Sequence, residues 1–237
     1  MNEVALGNFR LECDAQGRLV QLTAGTIGPL LHRTAYRARL DEGRTFEPGG
    51  WEECFPTIEA FENSPVMGDL IGLEPREESE PGTYSQTWTT GRFSAERRFR
   101  TVTPAHLEVA FSSRNLSPQP LRFLWASHAI FSLEPLRRFA LTGGPEFTDF
   151  SLDGTSSKTF YPNHGAIRLA YEAGEVSLET DQPWWGIWLN RGGWPAAQPA
   201  GLACVGLEAT NTAADFPRDA RLLPDEQFCA RIHLRIL

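Results

Sequence analysis

Apolar and polar positions alternate with a period of two over much of the chain. At the C-terminal end Phe228, Ala230, Ile232, Leu234 and Ile236 interleave with Cys229, Arg231, His233 and Arg235, the pattern of a strand with one buried face. Leu107, Val109 and Phe111 repeat it. Ile167, Leu169 and Tyr171 are followed by Ala173-Gly174-Glu175 and then by Val176 and Leu178, which predicts a hairpin. Phe9, Leu11 and Cys13, then Asp14-Ala15-Gln16-Gly17, then Leu19-Val20 predict another. No segment of about a dozen residues keeps an i, i+3, i+4, i+7 apolar stripe with a cap and a stop. The 21 Gly and 17 Pro are spread along the chain as turns between short strands would require. These patterns predict an all-β protein. Two polar segments, Glu74 to Gly82 and Gly143 to Lys158, read as loops. Neither has the character of a linker, so one domain over residues 1–237 is expected.

Composition narrows the class. With 237 residues a chain can bury about 70% of its unfolded surface, without a disulfide or metal staple. A 41% hydrophobic and 22% charged composition is that of a globular protein. There are 30 acidic residues against 22 basic ones, a formal charge of −8, and the only lysine is Lys158. Such a balance argues against nucleic acid or an anionic membrane as partner. Residues 1–12 show neither a basic nor an apolar signal region, and no run approaches the roughly 18 apolar residues of a membrane span. A cytoplasmic location is expected. Cys13, Cys54, Cys204 and Cys229 are far apart with no close pair, which predicts buried free thiols. The five histidines show no metal-binding spacing, so a metal centre is not expected.

Three segments carry chemistry. Gly49-Gly50-Trp51-Glu52-Glu53-Cys54-Phe55-Pro56-Thr57 offers an irregular glycine backbone, an aromatic face and two carboxylates. It suits a polyol site, or equally a tight turn with Trp51 as core filler. In Leu124 to Phe131, a strand would put Leu124, Ala126, His128 and Ile130 on one face and Trp125, Ser127, Ala129 and Phe131 on the other. His128 among such neighbours is either a structural histidine or a catalyst. Four tryptophans fall between residues 184 and 194. Glu208 ends an apolar run from Leu202 to Leu207, either paired or poised with a raised pKa. His128 and Glu208 on two strands facing one pocket would make a general acid and base. His32, His106, His164 and His233 are weaker candidates, with His106 and His233 on alternating strands.

These segments, in this order, resemble those of the aldose 1-epimerase-like (galactose mutarotase-like) family. Gly49 to Thr57 is similar to its GG-aromatic-acidic-E-x-x-P-T segment. Trp125 to Phe131 resembles its W-x-x-H-P-x-F strand, Ile187 to Pro195 its W-x-N-x-G-G-W-P segment, and Gly206 to Asn211 its L-E-P-T strand end. Residues 222–237 look like its closing strand. Ala129 and Ala209 stand where the family has Pro, and Asp225 where Gly is common. The early histidine-glycine segment of the better-known mutarotases is not found.

The resemblance implies an antiparallel β-supersandwich of the galactose mutarotase-like type. It implies Glu208 as the base that takes the anomeric hydroxyl proton and His128 as the acid that protonates the ring oxygen, without a cofactor. A bell-shaped pH–rate profile follows from such a pair. Trp51, Glu52, Glu53 and Trp185 are then the candidate substrate-binding residues, and a small-molecule sugar is the partner. The sequence does not reveal an oligomeric state. The alternatives are a non-catalytic sugar-binding or sensing protein on the same fold, and a carbohydrate-cleaving enzyme with Glu53 and Glu208 as paired carboxylates. The latter requires carboxyl separations of roughly 5–5.5 or 6.5–9.5 Å.

Overall fold

The structure is a computed structural model that describes residues 2–34, 36–39, 45–195 and 202–237. Among these residues there is no helix, and two nine-stranded antiparallel sheets dominate. The first sheet runs in the spatial order Asn2–Leu6, Phe9–Cys13, Leu19–Ala24, Gly50–Cys54, Ala126–Ser132, Ala203–Thr210, Trp184–Arg191 and Thr155–Pro162, with Gly28–Pro29 pairing on Leu19–Ala24. The second is built around Gln227–Ile236, which lies between His106–Asn115 and Gly174–Thr180. Both predicted hairpins form, as Phe9–Cys13 with Leu19–Ala24 and Ile167–Tyr171 with Gly174–Thr180.

The sheets pack face to face, because alternate residues of each feed one apolar core. Leu22, Trp51, Ala129, Phe131, Trp185, Ile187 and Leu207 come from the first sheet, and Phe99, Val109, Phe111, Leu169, Ile232 and Leu234 from the second. This two-layer arrangement is the expected β-sandwich.

The central strands Gly50–Cys54 and Ala203–Thr210 are covered on both faces. Two small apolar clusters lie on the outer face of the first sheet. One joins Cys54, Ile58, Met67, Leu124 and Ala126; the other joins Ile130, Leu202 and Cys204 with Trp188 and Trp194 packed against them. The titratable residues sit between these clusters.

Three expectations change. The segment Glu74 to Gly82 contains the strand Arg76–Glu80, the outer edge of the second sheet. The segment Gly143 to Lys158 runs into Thr155–Pro162, the outer edge of the first. Both edges are rich in polar side chains, which protects them against pairing with other chains and removes the apolar alternation of a strand. Cys13, Cys54 and Cys204 are buried free thiols, but Cys229 is exposed.

Candidate functional site

One cross-strand row carries the chemistry. His128 is the Cα partner of Glu52 on one side and Glu208 on the other. Glu208 is paired with Gly186, and Gly186 with Phe160. Residues opposite one another in an antiparallel pair point to the same face. Glu52, His128 and Glu208 therefore emerge together on the outer face, away from the inter-sheet core. The strand alternation read from the sequence placed His128 correctly with Ala126 and Ile130.

The geometry is tight. His128 Nε2 lies 3.4 Å from Glu208 Oε1, and His128 Nδ1 lies 3.9 Å from Glu52 Oε1. Lys158 Nζ lies 2.7 Å from Glu208 Oε2 and also contacts Asp215 Oδ1. Glu208 is fully buried, and Glu52 and His128 nearly so. His128 Nδ1 and Glu208 Oε1 are buried without a hydrogen-bond partner. Buried polar atoms are almost always hydrogen-bonded, so these two are open to a partner, water included.

Burial dominates the titration of the row. Desolvation, with the Lys158 ammonium second, lowers the His128 pKa to about 3. Desolvation raises Glu52 to about 7, against the opposing pull of Arg18 and Arg97. It also raises Glu208, against the opposing pull of Lys158. Burial works against the charge of Lys158, but Glu208 and Asp215 outweigh it and raise its pKa. At neutral pH the imidazole is uncharged, and the cation beside the row is Lys158.

Several sequence-level candidates fall elsewhere. Glu53 points to the opposite face from Glu52. Its carboxylate accepts hydrogen bonds from Trp125 Nε1 at 2.9 Å and Ser127 Oγ at 3.0 Å, and it faces the buried Arg97 guanidinium at 3.7 Å. Glu53 is thus part of the core support, and the pairing of Glu53 with Glu208 as two catalytic carboxylates is excluded by the sheet between them. Trp51 and Trp185 are also fully buried core residues, so neither can stack on a ligand. The paired glycines before Trp51 serve packing. At Gly50, φ is +76°, and a Cβ would meet Leu19 O at 2.4 Å.

The aromatic face belongs to other residues. Trp184 and Trp188 flank Gly186 on the outer face, and both are only partly buried. The Trp188 ring lies 6.5 Å from the His128 ring at 21°, and Trp194 meets Trp188 edge-on at 5.6 Å. Tyr36 in turn meets Trp194 at 5.9 Å. Strand parity could have separated Trp188 from Trp185. Lys158 lacked any such signal.

Beside the row a cleft of about 490 Å³ opens, lined among others by Arg18, Arg33, Arg37, Glu47, Glu52 and, at its floor, Glu53. That volume lies within the roughly 300–1,000 Å³ of small-molecule sites. Glu52 is the residue shared by the cleft and the row. The arginines are engaged: Arg18 with Asp14 and Glu47, Arg33 with Glu12, and Arg37 with Glu47. No group of three or more metal-ligating side chains occurs among the described residues.

No family model matches the chain, and no curated protein matches it in sequence. Solved structures do match it. A galactose mutarotase related enzyme from Lactobacillus acidophilus aligns with a TM-score of 0.70 at 13% identity, covering 100% of this chain and 97% of that one. A galactose mutarotase-like protein from Lactobacillus casei aligns at 0.67 and 12% identity, covering 100% of both chains. An aldose epimerase homologue from C. elegans aligns at 0.62 and 11% identity, covering 99% and 98%. With two antiparallel sheets in the same arrangement over its full length, this chain has the galactose mutarotase-like β-sandwich fold.

Proposed function

We propose that the protein is an aldose 1-epimerase that interconverts sugar anomers at the His128–Glu208 pair. The observation that carries this reading is the 3.4 Å approach of His128 Nε2 to Glu208 Oε1 on neighbouring strands, both buried on the outer face. A hemiacetal needs two proton transfers on atoms bonded to one carbon, and two groups this close serve both. Glu208 takes the proton of the anomeric hydroxyl, the carbonyl at C1 forms, and the C1–ring oxygen bond breaks. His128 donates from Nε2 to the departing ring oxygen. Rotation about C1–C2 and reversal of the same transfers close the other anomer.

The neutral imidazole refines this scheme. With a pKa of about 3, His128 acts as an uncharged N–H donor, as a neutral histidine does at enolising sites, and the imidazolate left on ring opening recovers its proton on ring closure. Protonated Glu52, 3.9 Å from Nδ1, carries no charge and leaves the proton on Nε2. Ionised Glu52 draws the proton to Nδ1. The falling limb of the pH–rate bell then belongs to Glu52, with a pKa of about 7, and not to a histidinium. The rising limb belongs to Glu208. Trp188, with Trp194 behind it, supplies the stacking face for the sugar's C–H surface, and the adjoining cleft takes the remainder of the substrate.

Polarimetry over a panel of freshly dissolved aldoses tests the reading. Anomerisation should be accelerated by the parent, and Glu208→Gln should lose nearly all of it. Equal rates in parent and Glu208→Gln would refute the assignment of the base. The second reading, a sugar-binding protein without catalysis, is favoured by the low pKa of His128 and by the ion pair that already engages Glu208. Saturable binding without acceleration by the parent would select it.

A further inference from the structure

Lys158 is the chain's only lysine, and it comes from the polar edge strand Thr155–Pro162. Its Cα partner is Trp188, one step along the outer face from the row that holds Glu208. The ammonium reaches diagonally to Glu208 Oε2 at 2.7 Å, and Asp215, from the loop after Ala203–Thr210, holds it from the other side. The Phe160 ring lies 5.3 Å from Nζ. The intervening strand contributes Gly186. A Cβ there would sit 3.2 Å from both Glu208 Oε2 and the Phe160 ring, so the absent side chain leaves the carboxylate and ammonium free to meet. The Lys158 side chain is 20% exposed and that of Glu208 1%. A carboxylate so fully buried is costly to ionise without a partner, and a protonated carboxyl is no base.

We propose that Lys158 is a positioning residue for the base: it clamps Oε2 of Glu208 as a carboxylate and leaves Oε1, the oxygen facing His128, to take the sugar's proton. The inference rests on the epimerase reading. The groups facing Glu208 are His128 with Glu52 behind it, Lys158, Asp215 and the Cys54 thiol; the strand Trp184–Arg191 adds none. The thiol pKa is raised well above its ordinary value by burial, so it carries no charge. Lys158 is the one cation in this set at neutral pH, and its removal acts on the ionisation of Glu208 above all.

The test compares the parent with Lys158→Met, Lys158→Arg and Asp215→Asn. Two readouts are taken over pH 5–9: the anomerisation rate, and the Glu208 carboxyl titration followed by infrared difference against Glu208→Gln. An opposite charge at this range lowers a carboxyl pKa by about 1–3 units. Lys158→Met should move the rising limb up by that amount, with at least a roughly tenfold loss at the low-pH end and an unchanged KM. Lys158→Arg should restore most of the rate. Asp215→Asn, which removes a negative neighbour, should move the Glu208 titration the opposite way and keeps the test open should Lys158→Met fail to fold. A uniform loss at every pH, or a Glu208 titration unmoved by these substitutions, would overturn the proposal. A parent that accelerates no aldose sinks the epimerase reading alone; the carboxyl titration then still decides the role of Lys158.

Discussion

Glu52 makes the sharpest stability prediction, because its carboxyl is buried, has no ion pair with an arginine or lysine among the described residues, and adjoins the His128–Glu208 pair. Burial raises its pKa from 4.5 to about 7, with Arg18 and Arg97 pulling it back and Asp14 and Glu53 pushing it up. A carboxyl with a higher pKa in the folded chain than in the unfolded one binds its proton more tightly when folded. Its contribution to stability is complete below pH 4.5 and is lost as pH rises through about 7. At about 1.4 kcal/mol per pH unit, the full loss is about 3 kcal/mol. Glu52→Gln keeps the size and polarity of the side chain and cannot ionise. Relative to the parent it should gain about 3 kcal/mol in stability between pH 4.5 and pH 8.5, read as the difference between two urea-unfolding comparisons. The difference cancels whatever else titrates in both proteins. The same substitution should erase the falling limb of the rate profile, because the amide cannot draw the proton to Nδ1. A gain below about 1 kcal/mol would refute the argument that burial governs this carboxyl, and with it the assignment of the falling limb.

Two further perturbations separate the two faces of the sheet. Trp188→Ala should raise KM about two- to tenfold, the worth of one aromatic contact, with a smaller loss of stability than Trp185→Ala, which should cost about 3–5 kcal/mol as a fully buried large-to-small change. A KM unchanged by Trp188→Ala in saturation kinetics would remove it from the sugar site. Arg97 donates to Gln86 Oε1, to Trp51 O and to Gly17 O, and faces Glu53. Arg97→Met should cost about 3–5 kcal/mol at pH 8, where a buried carboxylate is left alone, and less at pH 5, because Glu53, at about pKa 6 even with Arg97 present, takes a proton. Equal losses at the two pH values in urea titrations would refute this pairing.

How far the sequence could be read is set by how strongly each strand alternates. The strands that feed the core, such as Gln227–Ile236 and His106–Asn115, were legible because one face is apolar. The pair His128 and Glu208 was legible in type, and the role proposed for it comes from the family resemblance. The faces on which its neighbours lie were less legible, although parity carried part of the answer. Trp51, Glu52 and Glu53 are consecutive on one strand, and Trp51 and Glu53 must share a face that Glu52 does not. Trp51 is buried in the core, whereas Glu52 and Glu53 both line the cleft at the open end of the strand. Deciding which face is the outer one needed the register that sets Glu52 opposite His128 and Glu53 opposite Ser127, a pairing between segments more than 70 residues apart that no local pattern records. The left-handed backbone at Asp225, with φ of +65°, explains why glycine is common there in the family, yet nothing in Asp itself announces it. Lys158 was the least legible of all. An edge strand with one open side has no need of apolar alternation, and the first half of Thr155–Pro162, through Lys158, therefore reads as a loop. The freedom from packing that hides the strand is also what lets it carry a lysine, and the row it borders is where a buried carboxylate most needs one.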